Sequence, residues 1–370
     1  MDYKIHIREK GKGFQYLISY KLDNGNWKQT AKQGFSGKKE AKRAADGRVD
    51  ELKAELKLNG TLRPEYADLT FGEFTQMLLE HERLTKEYNS ILVLESSLRY
   101  FEDLNYIPMK DIRAFDIQKA TDKIVMKGLK TRTIKHHLNK LSYVFAQAIE
   151  PFGVIASSPV GKIKLPQMDD AKTMSTLAEK ALTKSEQETI LNHLAQSRKE
   201  LHYYYLCATA LGTGLRIGEL LGLTWGDVNF KERSININKQ WKLLEEKKYG
   251  FGKLKKKNSY RIVPISDNTA HLLYDYKNSQ AIQPLDNRVF PLSRNHSVSA
   301  QIVAHSKEVG IHFSMHTLRH TYATNLIANG VDFKTAAYLL GHDVEMTMKV
   351  YSHVNDDMKK EAARLINNIL

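Results

Sequence analysis

Cysteine is almost missing from this sequence: Cys207 is the single one among 370 residues. One thiol can neither close a disulfide within the chain nor build a cysteine-based zinc site, which excludes disulfide-stapled secreted scaffolds and predicts a reducing compartment. Acidic side chains are outnumbered, 42 Asp and Glu against 56 Lys and Arg, for a net charge of +14. That surplus selects polyanionic partners, nucleic acid ahead of an acidic membrane surface, and carries no information about fold. Nowhere do about 18 uncharged apolar residues run together, and the opening MDYKIHIREKGKG has no signal-like apolar stretch, so a soluble cytoplasmic protein is expected. Also missing are G-x-x-x-x-G-K-[ST] and G-x-S-x-G, which leaves nucleotide hydrolysis and ordinary esterase chemistry unsupported.

What is present divides into pieces. Period-2 alternation through Tyr3, Ile5 and Ile7, then Phe14, Tyr16, Ile18 and Tyr20, is punctuated by Gly11, Gly13 and the turn Asp23-Asn24-Gly25-Asn26. It predicts a three-stranded antiparallel meander. A helix follows, with Ala41, Ala44, Ala45, Val49 and Leu52 at helical spacing, ending near Leu58. LNGTLRPEYADL reads as a linker, and from Thr70 to about residue 150 only helical periodicity appears. One of these helices sets Lys130, Arg132, Lys135, His136, His137 and Lys140 opposite Ile134, Leu138, Leu141 and Phe145. A solvated charged face is the bland reading of that helix, but the single sign favours phosphate contact. Pro151, Gly153, Pro159, Gly161 and Pro166 mark a second linker running on to Ala178, after which Thr183-x-x-Glu186 predicts a capping box opening a further domain.

Three segments of that last domain carry candidate chemistry. In TGLRIGELLGLTW, Arg216 opens a helix, where its charge opposes the dipole; either a bound anion or pairing with Glu219 or Asp227 removes the conflict. In KKYGFGKLKKKNSYRIVPI, Lys253, Lys255, Lys256 and Lys257 precede a strand, predicting a β-hairpin with a lysine-rich tip that is either a solvated loop or a groove-binding element and proton donor. In the third, His316, Arg319 and His320 share a helix face, a second helix stops at Gly341 just before His342, and Tyr351 lies nine residues beyond that histidine. A zinc reading through His316, His320 and either His342 or His353 lacks the HExxH glutamate and sets Arg319 between its ligands. No metal is assigned.

LGTGLRIGELLGLTW, HTLRHTYAT, LLGH and VYSH, in that order, closely resemble the tyrosine recombinase, or phage integrase, family, and in particular integrases of Gram-positive phages and conjugative transposons. The resemblance implies a mainly α multidomain chain with small β-sheets. Its parts would be an arm-type DNA-binding domain (1–58), a linker (59–68), a helical core-binding domain (69–165), a linker (166–180) and a mixed α+β catalytic domain (181–370). It further implies that Arg216 and Arg319 clamp the scissile phosphate with help from His316 and His342, and that Tyr351 attacks phosphorus. Lys255, or Lys256 one place on, would protonate the departing 5′-oxygen, while Lys130, Arg132, Lys135, Lys253, Lys256 and Lys257 contact DNA. No cofactor is implied. The partners would be double-stranded DNA at core and arm-type sites, three further copies of the chain in a tetramer, and an excisionase or host DNA-bending protein. Two other readings remain open: a type IB topoisomerase-like relaxing enzyme and a non-catalytic DNA-binding protein.

Overall fold

The computed structural model describes residues 2–11, 13–21, 27–165, 181–198, 200–280 and 284–351. The turn expected at residues 23–26, the linker 166–180 and His353 lie outside them. The chain divides into two compact units, Met1–Met168 and Asp169–Leu370.

The first unit opens with strands β1 (Tyr3–Lys10), β2 (Gly13–Lys21) and β3 (Trp27–Phe35), antiparallel in the order β1-β2-β3. Ile5 faces Ile18 and Ile7 faces Tyr16 across β1 and β2. The period-2 face thus delivers Tyr16 and Ile18 to one side, where Ala41, Ala45, Val49 and Leu52 of helix α1 (Lys38–Thr61) cover them. α1 continues through Asn59 and Gly60 to Thr61, beyond the expected end at Leu58. Within the expected linker 59–68, Pro64–Tyr66 forms a 3-10 turn, the Arg63 N–H donates to Gly153 O at 2.9 Å, and Tyr66, like Leu69 after it, packs on the helical core that follows.

That core is built from α2 (Phe71–Arg83), α3 (Tyr88–Leu98), α4 (Ala114–Met126) and α5 (Thr131–Ile149). Thr70 and Glu73 exchange side-chain to backbone bonds that cap α2. Phe71, Phe74, Phe101, Ile117, Leu141 and Phe145 are fully buried, each worth roughly 1.5–3 kcal/mol relative to exposure. On α5 the apolar stripe falls as expected and Lys130, Arg132, Lys135 and His136 face solvent. His137 does not join them. Three residues after Ile134 and four before Leu141, it lies on the inner stripe, where its ring stacks on Tyr100 and Nδ1 meets Ser97 Oγ at 3.1 Å. Burial pushes its pKa down, with His136 adding to the effect. Residues 151–165 likewise belong to this core: Val154 and Ile155 are buried, and Lys164 exchanges hydrogen bonds of 2.8 and 3.0 Å with Gln118.

The second unit begins with the expected capping box, Thr183 with Glu186, at the start of α6 (Lys184–Ala195). α7 (Leu201–Thr213) and α8 (Ile217–Leu221) precede a sheet of β4 (Val228–Asn229), β5 (Ser234–Ile237) and β8 (Arg261–Pro264), in the order β4-β5-β8. Inserted between β5 and β8 is a separate hairpin of β6 (Gln240–Leu243) and β7 (Tyr249–Gly252). This corrects the expected lysine-rich tip. The hairpin turns at residues 244–248, with Glu246 and Lys247 at φ 56° and 58°, whereas Lys253, Lys255, Lys256 and Lys257 follow β7 on the way to β8. The two glycines of YGFG, poor strand formers, hide β7 from a propensity reading. The unit is completed by α9 (Asp267–Ser279), α10 (Asn295–Glu308), α11 (Met315–Ala328), α12 (Phe333–Leu340) and α13 (Val344–Tyr351). Cys207 sits in the core of this unit beside Leu206 and Ala210, where burial raises its thiol pKa and leaves it inert.

Candidate active site

The site is organised by the C-terminal end of α12. Asp332 caps the start of that helix, its Oδ1 accepting from the N–H groups of Lys334 and Thr335 at 2.9 and 3.0 Å. At the other end Gly341 adopts φ 61°, a left-handed conformation that L side chains rarely take. The His342 N–H then donates back to Ala337 O at 2.9 Å. This turn leaves three successive carbonyls without helical partners. Each receives an arginine from a different element: Arg261 Nε of β8 donates to Leu339 O at 2.7 Å, Arg319 Nη2 of α11 to Leu340 O, and Arg216 Nη2, at the start of α8, to Gly341 O at 2.8 Å. The negative end of the helix dipole thus gathers three cations.

Space at this junction is tight. A Cβ on Gly341 would stand 3.0 Å from Arg261 Nη1 and 3.3 Å from Arg216 Nη1. Arg319, only 3% exposed, also donates to Gly214 O at 2.6 Å, so it ties the end of α7 to the end of α12. Gly214 is left-handed too, at φ 63°, and a Cβ there would strike the Tyr322 ring.

Behind Arg216 lies Glu219, 3% exposed. Its carboxylate accepts from the Arg216 N–H at 3.0 Å and Nη1 at 2.9 Å, and from Arg261 Nη1 and Nη2 at 3.2 and 2.9 Å. Burial by itself would raise the Glu219 pKa; Arg261 and then Arg216 more than offset it, holding the carboxyl below its ordinary range. Of the two ways to relieve Arg216 at its helix start, the structure therefore takes pairing with Glu219; Asp227 is engaged by Lys239. Arg216 nevertheless keeps 38% of its side chain exposed.

That exposed part opens into a cleft of about 340 Å³ lined by Arg216, Glu219, Lys255, Lys256, His342 and Asp343 among others. The two candidate lysines differ. Lys256 Nζ is 2.6 Å from Asp343 Oδ2, whereas Lys255 has no ion-pair partner among the described residues. Asp343 also supplies the carbonyl that accepts from Thr347 N, so it starts α13 as well as holding Lys256.

His342 Nε2 lies 2.9 Å from Arg319 Nη2. Burial, followed by the charges of Arg319, Arg216 and Arg261, lowers its pKa to about 3. The ring is therefore neutral at physiological pH. Because Nε2 accepts from a guanidinium, its proton sits on Nδ1, a buried atom without a hydrogen-bond partner. His316 stands one turn before Arg319 on α11; desolvation, Arg319 and Arg216 lower its pKa too.

The structure thus brings Arg216, Lys255 and His342 to one cleft, with Arg319 immediately behind His342 and His316 within the field of both arginines. α13 carries the chain from that turn to Tyr351. Lys253 and Lys257 are exposed beside the same loop, while Lys130, Arg132 and Lys135 belong to the first unit. Of the histidines weighed above and not assigned to a metal, His316 and His320 have ring centroids 6.5 Å apart and His342 Nε2 faces Arg319 Nη2. Sequence reasoning missed the role of Arg261, whose signal was its place at the start of a strand alternating between buried and exposed positions.

This fold is shared with integrases of known structure. The chain aligns over 80% of its length with the Tn1549 transposon integrase solved in complex with transposon right end DNA, covering 100% of that chain at TM-score 0.66 and 24% identity. It aligns over 76% of its length with a lambda integrase dimer bound to a COC′ core site, covering 95% of that chain at TM-score 0.54 and 19% identity. Residues 180–358 match the Phage integrase family and residues 6–49 match an arm DNA-binding domain. A XerC-like tyrosine recombinase of Caldanaerobacter subterraneus is 27% identical over 100% of both chains, and the ICEBs1 integrase of Bacillus subtilis is 25% identical over 95% of this chain and 99% of its own. Residues 180–358 are thus a phage integrase family domain, and the full-length relatives that the chain matches are a tyrosine recombinase and an integrase.

Proposed function

We propose that this chain is a site-specific recombinase that integrates and excises a mobile DNA element through a 3′-phosphotyrosine intermediate. The observation that carries this reading is the convergence of Arg216, Arg319 and His342 on the end of α12, directly ahead of the helix that ends at Tyr351. In this mechanism the Tyr351 oxygen bonds to phosphorus while the bond from phosphorus to the 5′-oxygen breaks. Lys255 gives its proton to that departing oxygen; its lack of an ion-pair partner suits it better than Lys256, which Asp343 occupies. The phenolic proton passes to His316, whose imidazole burial, Arg319 and Arg216 keep unprotonated and therefore able to accept. Arg216 and Arg319 meet the charge that develops on the non-bridging oxygens, each worth roughly 3–4 kcal/mol in the transition state by analogy with oxyanion donors. Their hydrogen bonds to fixed backbone carbonyls set that geometry before DNA arrives. A second 5′-hydroxyl then attacks phosphorus, giving its proton to Lys255, while the bond from phosphorus to the Tyr351 oxygen breaks and that oxygen takes back the proton from His316, so the bond energy is conserved without ATP.

In the same reading, the N-terminal sheet and α1 grip arm-type sites, and the α5 face with Lys130, Arg132 and Lys135 grips the core site. Lys253, Lys256 and Lys257 contact DNA beside the cleft. Four copies act together on two duplexes, in the cytoplasm, with an excisionase or bending protein setting direction. Among the described residues no helix is long and apolar enough to cross a membrane. The test is strand exchange between two labelled duplexes taken from the junctions of the element that carries the gene. Recombinant products support the proposal, whereas nicking and resealing of one duplex without exchange supports the relaxing-enzyme alternative.

A further inference from the structure

Away from the cleft, three potential metal ligands meet where α6 packs near the end of α10. His193 Nε2 lies 3.3 Å from His305 Nδ1 and 3.1 Å from Glu308 Oε2, and the last two atoms are 3.4 Å apart. Among the described residues, this is the group of three or more His, Cys, Asp or Glu side chains close enough to hold an ion. From this triangle we infer a divalent-cation site of the zinc type, in which His193, His305 and Glu308 are the protein ligands.

The dimensions carry the assignment. Zinc bonds to imidazole nitrogen and carboxylate oxygen at about 2.0–2.2 Å, so two ligands of a tetrahedral ion stand about 3.3–3.5 Å apart. All three edges of the observed triangle lie at or just below that spacing. Protons fit the triangle less well. A carboxylate oxygen only accepts, so a single N–H leaves the other histidine nitrogen facing it lone pair to lone pair, while two N–H groups must share Glu308 Oε2 with their nitrogens 3.3 Å apart. A cation at the centre satisfies all three. Two imidazoles and one carboxylate are a donor set suited to zinc rather than to calcium or magnesium, which take oxygen ligands.

Two further features fit. His305 is 2% exposed, and its other ring nitrogen, Nε2, is buried without a hydrogen-bond partner, 3.8 Å from Glu200 Oε2. With a metal on Nδ1, the proton goes to Nε2 and points toward that carboxylate, the outer pairing that metal-bound histidines commonly make. In addition, Tyr203 packs edge-on against the His305 ring, which fixes its plane. His193 is partly exposed and Glu308 exposed, so the fourth position opens to solvent and takes water. The site joins the first helix of the second unit to α10, and its role is structural, independent of the strand-transfer cleft.

The test uses the full-length chain stripped of metal with a chelator and titrated with zinc chloride against a chromophoric competitor. One zinc should bind per chain and raise Tm. His193→Gln and Glu308→Gln, at a partly exposed and an exposed position, should retain the metal-free Tm and lose binding and the Tm shift. His316→Gln with His342→Gln should bind zinc like the parent. X-ray absorption should report a first shell of nitrogen and oxygen containing two imidazoles. Failure of the parent to bind stoichiometric zinc overturns the assignment, as does binding that survives in the His193→Gln, Glu308→Gln double variant or disappears with the His316, His342 pair.

Discussion

Arg261 holds Glu219 through two nitrogens, at 3.2 and 2.9 Å, inside a part of the protein from which both side chains are almost excluded from water. Among the described residues Arg261 bonds to this carboxylate and to the carbonyls of Leu339 and Ser259, yet the carboxylate is the group that orients Arg216 in the cleft. Removing Arg261 therefore acts on Arg216 at one remove. Arg261→Met should destabilise the protein by about 3–5 kcal/mol, because it leaves a buried carboxylate with half its partners. Pairing Arg261→Met with Glu219→Leu should restore most of that stability, measured by urea unfolding, without restoring DNA cleavage. Recovery of both would mean that the pair only packs the core.

The turn after α12 makes a second prediction. Gly341→Ala places a methyl group at φ 61° against two guanidinium groups, at 3.0 and 3.3 Å. The backbone strain costs about 1–2 kcal/mol, and the displaced arginines should lower the cleavage rate more than they lower DNA affinity. Single-turnover kinetics alongside equilibrium binding separates the two. Equal losses would contradict a role in transition-state stabilisation.

Lys255 and Lys256 are distinguished by the proton each can give. Lys255→Ala should abolish cleavage of ordinary DNA and be rescued by a substrate carrying sulfur at the bridging 5′-position, since a thiolate leaves without protonation. Lys256→Ala breaks the ion pair with Asp343 and should keep most of the cleavage rate. Rescue of Lys256→Ala rather than Lys255→Ala would exchange the two roles.

His342 gives the acid limb of stability a sign. Its pKa falls from 6.5 to about 3 on folding, so between those values the unfolded chain binds the extra proton and the native chain does not. Stability is thus lost as pH falls, by roughly 1.4 kcal/mol per pH unit across that window for this one group. His316, also lowered, and Glu219, whose depressed carboxyl is protonated only at lower pH, act in the same direction. His342→Gln should flatten the pH dependence of urea unfolding between pH 6 and about 4. An unchanged slope would contradict the buried neutral ring.

Local rules were readable without coordinates. The Ala41 to Leu52 stripe, the inner face of α5, the Thr183 and Glu186 box and the stop at Gly341 each depend on residues within a turn or two of one another. The order of Arg216, His316, Arg319, His342 and Tyr351 was also visible, because the motif is a linear pattern. What escaped depends on distant neighbours. His137 was assigned to a basic face until Tyr100 and Ser97 covered it. Arg261 lies in the basic stretch KKYGFGKLKKKNSYRIVPI, and its use became evident only when β8 delivered it to Glu219, 42 residues earlier. His193 and His305 are 112 residues apart and belong to no motif that the sequence displays.

The central claim is that the Tyr351 oxygen becomes bonded to DNA phosphorus. The most direct measurement incubates the protein with a duplex nicked beside the cleavage site, so that the released fragment diffuses away and resealing stops, and then maps the DNA-linked peptide by mass spectrometry. A 3′-phosphate ester on Tyr351, absent in Tyr351→Phe, is the expected result. An adduct on another residue, or undiminished cleavage by Tyr351→Phe, would contradict it.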